Sequence, residues 1–464
     1  MHYNNLNVKL GHRIPHSCHA IHVTESMNID TLIHARWIIP VEPVDTILER
    51  HAIAINEGRI VEIIDSSSAE QKYAATHVLH LNRQALLPGL INTHGHAAMA
   101  LMRGLADDMP LMQWLQEYIW PAEQQWVNAE FVHDGTLLAC AEMLRSGTTC
   151  FNDMYFFPEQ AARAADQAGI RATLGLIVID FASAWAQDAD DYLRKGIELH
   201  DQLHNHPLLR TAFAPHAPYS VADNALLRIA TYAEEMDIPI HMHVHETAHE
   251  VEQSLATTGR RPLQRLDELG LLTPRLLAVH MTQLEAQEIE QCAQNGVHVV
   301  HCPESNLKLA SGFCPVSRLV EAGINVALGT DGAASNNNLD MLGEMHTATL
   351  LAKGIAGDAR ALPADQVLRM ATINAARALG LDEETGSLEP GKSADIIALH
   401  LDGIETEPLY HVVSQIIHAA GREHVTDVWV AGQHVLKQRE LTTLDIDDIL
   451  ARARQWRDRL RHQD

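Results

Sequence analysis

The sequence is short of several things, and each shortage removes a class of function. Only six cysteines stand among 464 residues, and none forms a C-x-x-C pair. Cys18, Cys140, Cys150, Cys292, Cys302 and Cys314 follow no regular spacing, which argues against a disulfide framework and for buried thiols of a reduced cytoplasm. Basic residues are outnumbered, 34 against 60 acidic, and the formal charge is −26. That field repels phosphate backbones, and the few Lys and Arg do not cluster, so no nucleic-acid partner is expected. No apolar run approaches the roughly 18 residues of a membrane helix, and the opening residues do not read as a charged-then-apolar leader. A membrane partner is not expected either. The glycine fingerprint of a dinucleotide-binding open sheet is also missing.

What the chain has in plenty is histidine. Thirty His exceed the 22 aromatics (7 Phe, 8 Tyr, 7 Trp), which directs attention to metal ligands. With 46% hydrophobic and 20% charged residues, the composition is that of a globular core, and the length suits two domains.

Residues 1–26 show no period and read as a disordered extension. From Met27, short β-rich runs follow (TLIHARWII, ERHAIAINEGRIVEII, THVLHL), with Asn56-Glu57-Gly58 as a hairpin turn. Similar runs return near the other end, ADIIALHL (394–401) and VTDVWVAGQHVL (425–436), the second bent through Ala431-Gly432. Residues 27–85 and 384–443 are therefore expected to build one small β-sandwich domain from both termini, with 444–464 an amphipathic helix. Between them, 86–383 alternates strand-like and helical patterns. Eight apolar runs (86–94, 148–155, 171–179, 208–216, 238–246, 275–281, 297–305 and 324–332) predict a (β/α)8 barrel of the α/β class.

Active sites of such barrels lie at the carboxyl ends of the strands. There the sequence places Thr93-His94-Gly95-His96, Pro215-His216, His243-Val244-His245-Glu246, His280 and Thr330-Asp331. Unrelated core histidines would not be confined to strand ends in this way. His94 and His96, two apart, point to one side of an extended chain. His241, His243 and His245 also alternate, but about 3.3 Å per residue spreads them too far for one metal. His243 is the expected ligand, His241 a deeper hydrogen-bonded histidine, and His245 a supporting one. Asp331 supplies a carboxylate. Three imidazoles and one carboxylate suit a single zinc, with iron second, and leave a coordination position open. None of the seven lysines falls on strands two to six, where a two-metal site would need a bridging lysine. His245-Glu246-Thr247-Ala248-His249 fits H-E-x-x-H, but His245 closes a strand, so the zinc-protease reading, which needs both His on one helix, is set aside.

The motifs LLPGLINTHGHAAMALMRGLADDMPLMQWL, IWPAE, FAPHAPYSV, HMHVHET, VHCPESNLKLASG, GTDGAASNNNLDM and GSLEPGKSADIIAL together resemble the amidohydrolase superfamily, in its nucleoside-deaminase and chlorohydrolase branch. The resemblance runs from about residue 30 to 440. It implies His94, His96, His243 and Asp331 as metal ligands. It implies Glu123, His216 and Glu246 as substrate-contacting residues, with Asp331 beside them. Glu246 and His280, together with Asp331, would handle the attacking water. The implied reaction replaces the 6-amino group of a purine nucleoside by oxygen and releases ammonia. A homo-oligomer, dimer or tetramer, is expected. One departure bears on the substrate. Members accepting S-adenosylhomocysteine are expected to hold its carboxylate with arginine near the third strand's end, yet residues 175–190 contain neither Arg nor Lys. Phe181 and Trp185 stand there instead, which favours 5′-methylthioadenosine over S-adenosylhomocysteine or adenosine. The alternatives are a guanine or cytosine deaminase or an s-triazine chlorohydrolase of the same branch, and, more remotely, a catalytically silent binding protein on the same barrel.

Overall fold

A computed structural model describes residues 26–461. The extension expected over 1–26 therefore lies, but for its last residue, outside the described residues. Sixteen strands are arranged in two sheets of eight. The first four are β1 (Met27–Ile38), β2 (Leu48–Asn56), β3 (Arg59–Asp65) and β4 (Tyr73–Pro88). The middle of the chain supplies β5 (Leu90–Gly95), β6 (Thr148–Asp153), β7 (Arg171–Val178), β8 (Leu209–Pro215), β9 (Ile240–Val244), β10 (Leu276–His280), β11 (His298–His301) and β12 (Val326–Leu328). The end supplies β13 (Ile396–His400), β14 (Val425–Val430), β15 (Gln433–Lys437) and β16 (Glu440–Leu441).

Strands β5 to β12 pair in parallel and in sequence order, one from each apolar run of the sequence. They could be read because parallel strands covered on both faces become continuous apolar runs; all eight residues of β7 are buried. The first run divides at Gly89. Leu86–Pro88 belong to β4, and the chain then turns into the barrel so tightly that a Cβ on Gly89 would fall 1.9 Å from Thr149 Oγ1. Side chains help to close the seam between β12 and β5. Asn92 Nδ2 donates to Thr330 Oγ1 (2.8 Å), Thr330 N donates to Asn92 Oδ1 (3.0 Å), and Asp331 N donates to His94 O (3.0 Å). After β12 the chain forms two short helices, Ala364–Met370 and Ile373–Ala378, broken at Thr372.

The small domain is drawn from both termini as one mixed sheet, in the order β16-β15-β14-β13-β4-β1-β2-β3. Its two ends meet. Arg59 bridges Ser393, Ile60 N donates to Lys392 O (2.9 Å), and Ile33, Ile53 and Ile60 share a core with Leu388, Ile396 and Trp429. The sheet thus folds over a single apolar interior, in the manner of a sandwich.

A buried ion pair fastens it to the barrel. Arg171 on β7 donates from Nε to Asp395 Oδ2 (3.0 Å) and from Nη2 to Ser393 Oγ (3.0 Å), while Asp395 also accepts from Ala431 N (2.7 Å). The terminal helix, Ile446–Arg461, docks on the helix Ala129–Arg145 through Trp456 Nε1, which donates to Asp134 Oδ2 (3.0 Å). Among the described residues, no helix is long and apolar enough to cross a membrane. The five described cysteines are buried free thiols.

Candidate functional site

The carboxyl end of the barrel gathers four of the expected residues. His94 comes from the end of β5, His96 from the residue beyond it, His243 from β9, and Asp331 from the loop after β12. One donor atom of each lies within 4.8 Å of the others. The closest distances are His94 Nε2 and His96 Nε2 each 3.2 Å from Asp331 Oδ1, and His243 Nε2 3.3 Å from His94 Nε2. The opposite ring nitrogens fix the tautomers. His96 Nδ1 donates to Met154 O (2.6 Å) and His243 Nδ1 to His216 O (2.8 Å), which leaves their Nε2 lone pairs turned inward. His94 Nδ1 bonds His241 Nε2 at 2.8 Å, so His241 is the interior hydrogen-bonded histidine expected from its depth.

Inward lone pairs this close repel one another unless a cation lies among them. Tetrahedral bonds of about 2.1 Å place donors about 3.4 Å apart, and the three closest spacings come within a few tenths of that. The residues therefore fit a single metal ion. Electrostatics agree for two of the imidazoles. Burial pushes His94 down to about 4 and His243 well below the usual imidazole range. His96 differs: burial opposes its charge, but the hydrogen bond and charge of Asp331 outweigh it and push it up to about 9, so that without a metal ion a proton on His96 is the cation among these groups. Asp331, despite burial, is held well below the carboxylate range by His94 and His96. Its other oxygen accepts from Ser305 Oγ (2.6 Å) and Ser335 Oγ (2.8 Å).

Backbone strain concentrates here. His245 (φ 52), His280 (φ 74), Met281 (φ 49) and Asp331 (φ 62) are all left-handed and none is glycine. Each such residue costs about 1–3 kcal/mol and persists only where its surroundings hold it. Gly329 shows why the approach to Asp331 carries no side chain, since a Cβ there would sit 2.8 Å from His94 Cβ.

Glu246 follows β9 and is buried. Its amide donates to Glu250 Oε2 (2.7 Å) and its carbonyl accepts from Thr282 Oγ1 (2.7 Å), so the residue is clamped from two sides. Its carboxylate lies 3.9 Å from His280 Nε2, and His280 Nδ1 donates to Asn306 Oδ1 (2.8 Å). Burial raises the Glu246 pKa. His245 points away from the four donors, accepts from Leu263 N (3.2 Å) and is pushed down to about 4 by burial. The H-E-x-x-H run straddles a strand end, the N-cap Thr247 and the first turn of the helix Ala248–Thr258, where His249 is exposed.

A cavity of about 410 Å³ opens over these groups. His96, His216, His243, Glu246, His280 and Asp331 line its floor, and among the described residues no Arg or Lys lines any part of it. Glu123 faces it from the helix Trp120–Trp126. Its carboxylate accepts from Tyr155 OH (2.7 Å), and burial pushes its pKa up to about 7. Nothing in the periodicity around Glu123 distinguishes it from a solvated helix residue; only the resemblance of IWPAE singled it out. His216, pushed down to about 4 by burial, bonds Ser220 Oγ at 2.9 Å. Phe181 reaches the cavity rim, but Trp185 does not reach the cavity. The turn Ser183–Ala186, closed by Ser183 N on Ala186 O (2.8 Å), carries Trp185 back against Tyr192, 5.6 Å between ring centres. The expectation of two aromatics at the third strand is therefore corrected to one. Arg103 and Arg145 are engaged elsewhere, with Glu142 and with Arg439 O respectively.

A model of the amidohydrolase family matches residues 85–435, which cover the barrel, its metal-type ligands and most of the returning sheet. The chain belongs to the amidohydrolase family. It is 51% identical over 438 residues to a 5-methylthioadenosine/S-adenosylhomocysteine deaminase of Teredinibacter turnerae, covering 94% of this chain and 99% of the relative. A protein of the same name from Saccharophagus degradans is also 51% identical, over 95% of this chain and 99% of its own. Among solved structures, an adenosine deaminase of Xanthomonas campestris with bound zinc superposes with a TM-score of 0.93 at 53% identity, covering 94% of this chain and 99% of that one. The atrazine chlorohydrolase of Arthrobacter aurescens, at 23% identity and a TM-score of 0.86, shares the fold.

Proposed function

We propose that this site deaminates adenosine derivatives by hydrolysis, with 5′-methylthioadenosine favoured over S-adenosylhomocysteine and adenosine. The observation that carries the reading is one cavity whose floor joins a mononuclear metal group to the buried carboxylate of Glu246, and whose walls hold no cation. His94, His96, His243 and Asp331 would hold zinc, with iron as second choice. The zinc in the Xanthomonas campestris relative supports that order. When bound, the ion supplies the acidity that makes water nucleophilic near neutral pH.

The remaining steps belong to the protein. Glu246 accepts a proton from the attacking water and delivers it to the purine N1, which makes C6 electrophilic. Burial helps twice, since a raised pKa makes Glu246 a better proton acceptor while keeping it acidic enough to release that proton. His280, held through Asn306, orients the water beside Glu246, and Asp331 accepts a hydrogen bond from the same water. Oxygen adds at C6, its remaining proton passes to the amino group, ammonia leaves, and the 6-oxo purine protonated at N1 remains. Glu123 accepts hydrogen bonds from the ribose hydroxyls, the natural partners for a carboxylate held by Tyr155 away from the metal group. His216 contacts the purine.

The tail preference follows from charge. A carboxylate entering a cavity without Arg or Lys loses hydration without compensation. A thiomethyl group meets Phe181 and the apolar wall at about 25 cal/mol per Å². The test is a comparison of kcat/KM at one pH for the three nucleosides, with guanine and an s-triazine alongside, read as ammonia or chloride released. The reading requires 5′-methylthioadenosine to lead. Leadership by S-adenosylhomocysteine would overturn the tail argument, and activity confined to guanine or the triazine would overturn the substrate class. A silent binding protein would turn over none of them.

A further inference from the structure

A second cluster of metal-type donors lies on the small domain, outside the barrel site. His34 on β1 and His80 on β4 are directly opposite in the parallel pairing of these strands, and their rings stack at 4.7 Å with an interplanar angle of 18°. Glu70, on the helix Ser66–Lys72, lies across them. Its Oε1 is 3.8 Å from His34 Nε2 and 3.9 Å from His80 Nε2. One donor atom of each of the three falls within 4.8 Å of the others. The helix is seated on this face of the sheet by Ala69, which packs with Leu32, Ala52 and Ala54.

The second observation is an unmet need. The His34 side chain is only 6% exposed, and its Nε2 is buried with no hydrogen-bond partner. A buried polar atom left unpaired destabilises the fold, and each instance calls for a partner. That nitrogen lies beside a carboxylate and a second imidazole, a set of donors that a metal accepts.

We propose that His34, His80 and Glu70 form a second, exchangeable site for a borderline divalent metal of the zinc class. Two imidazoles and one carboxylate are the donor set such ions accept. Donors about 3.4 Å apart would suit tetrahedral bonds of about 2.1 Å, so Glu70 must approach each imidazole by about half an ångström and the two rings must turn toward a common point. Glu70 and His80 can supply that movement, being 64% and 55% exposed, and the same exposure lets the ion reach His34 from solvent. Three protein donors and an open face make this site weaker than the four-donor barrel group. Bound metal would tie the helix Ser66–Lys72 to the sheet, and binding to the folded state alone raises stability by mass action.

The experiment uses the full chain with the barrel site loaded. Zinc is counted after dialysis against metal-free buffer and again after dialysis against micromolar zinc, for the native protein and for Glu70→Gln and His80→Ala. Both substitutions fall on exposed side chains and spare the core. The expected result is one zinc per chain in metal-free buffer for all three proteins. In zinc buffer the native protein should hold two, and each variant one, with deaminase turnover unchanged throughout. Added zinc should raise the unfolding temperature of the native protein and leave those of the variants unmoved. The sequence also carries five histidines and Cys18 within residues 2–22. A second zinc that persists undiminished in both variants would assign it elsewhere and overturn the proposal, as would a native protein that never exceeds one.

Discussion

Replacing Glu246 by Gln separates proton transfer from shape more cleanly than any other change at this site. The substitution preserves side-chain size and removes the carboxylate that accepts a proton. The surroundings are built to tolerate it, because the backbone of residue 246 is fixed by Glu250 Oε2 and Thr282 Oγ1, neither of which touches the side chain. General acid–base catalysis contributes about 10²–10⁴-fold, and at about 1.36 kcal/mol per decade the barrier should rise by about 2.7–5.4 kcal/mol. Glu246 serves twice in the proposed reaction, as acceptor from water and donor to N1, which places the expected loss toward the upper end. The assay is ammonia release from 5′-methylthioadenosine under saturating conditions, with metal content and unfolding temperature measured on the same preparation. Turnover should fall at least a hundredfold while KM, metal content and unfolding temperature hold. A variant within tenfold of the native kcat would refute the assignment. If His249→Ala instead emptied the metal site, the H-E-x-x-H reading would return.

Other outcomes follow from the same geometry. Asp331→Asn should release the zinc that survives metal-free dialysis, because the His96 and His94 nitrogens at 3.2 Å lose their anionic partner; metal analysis showing full retention would remove Asp331 from the ligand set. Glu123, pushed up to about 7 by burial, would in the proposed role hold the ribose hydroxyls more strongly when ionised, so KM for 5′-methylthioadenosine should climb as pH falls below about 7, and Glu123→Gln should flatten that profile. Phe181→Ala should lower kcat/KM for 5′-methylthioadenosine by about tenfold, the equivalent of some 50 Å² of apolar contact at about 25 cal/mol per Å², and should affect adenosine less. Arg171→Met leaves Asp395 buried without its partner and should cost about 3–5 kcal/mol in denaturant unfolding. Burial alone would raise the Asp395 pKa, but Arg171 outweighs it and holds it below the usual value. The native pair's contribution is therefore complete above about pH 4 and lost as pH falls through the lowered value.

The barrel was legible because its strands are covered on both faces, which turns each into an apolar run ended by a polar residue. The cluster of candidate metal donors was legible for a related reason, since histidines and an aspartate repeat at strand ends where unrelated core histidines would not. Only the resemblance, however, assigned the substrate-contacting roles, and Glu123 shows the limit. It is brought into the cavity by a short helix between β5 and β6, and its partner Tyr155 is 32 residues away, so no local period marks it. Trp185 shows the converse. An aromatic near a strand end reads as a pocket wall, but a Ser183 turn of four residues reverses the chain and buries it against Tyr192. Asn92, Ser305 and Asn306 were not anticipated at all, because each acts on a residue at least 26 positions away; Ser335, four residues beyond Asp331, was not anticipated either. The pairing of His34 with His80 depends likewise on the register of β1 against β4, which no spacing in the chain reveals.

The central claim is that water replaces the 6-amino group of a purine nucleoside at the floor of this cavity. Turnover of 5′-methylthioadenosine in ¹⁸O-labelled water, with the product weighed by mass spectrometry and ammonia counted alongside, tests it directly. The account predicts one labelled oxygen on the purine ring, one ammonia per product, and an intact ribose and thiomethyl group. An unlabelled ring, or a purine that keeps its amino group while the glycosidic or thioether bond is cut, would contradict it.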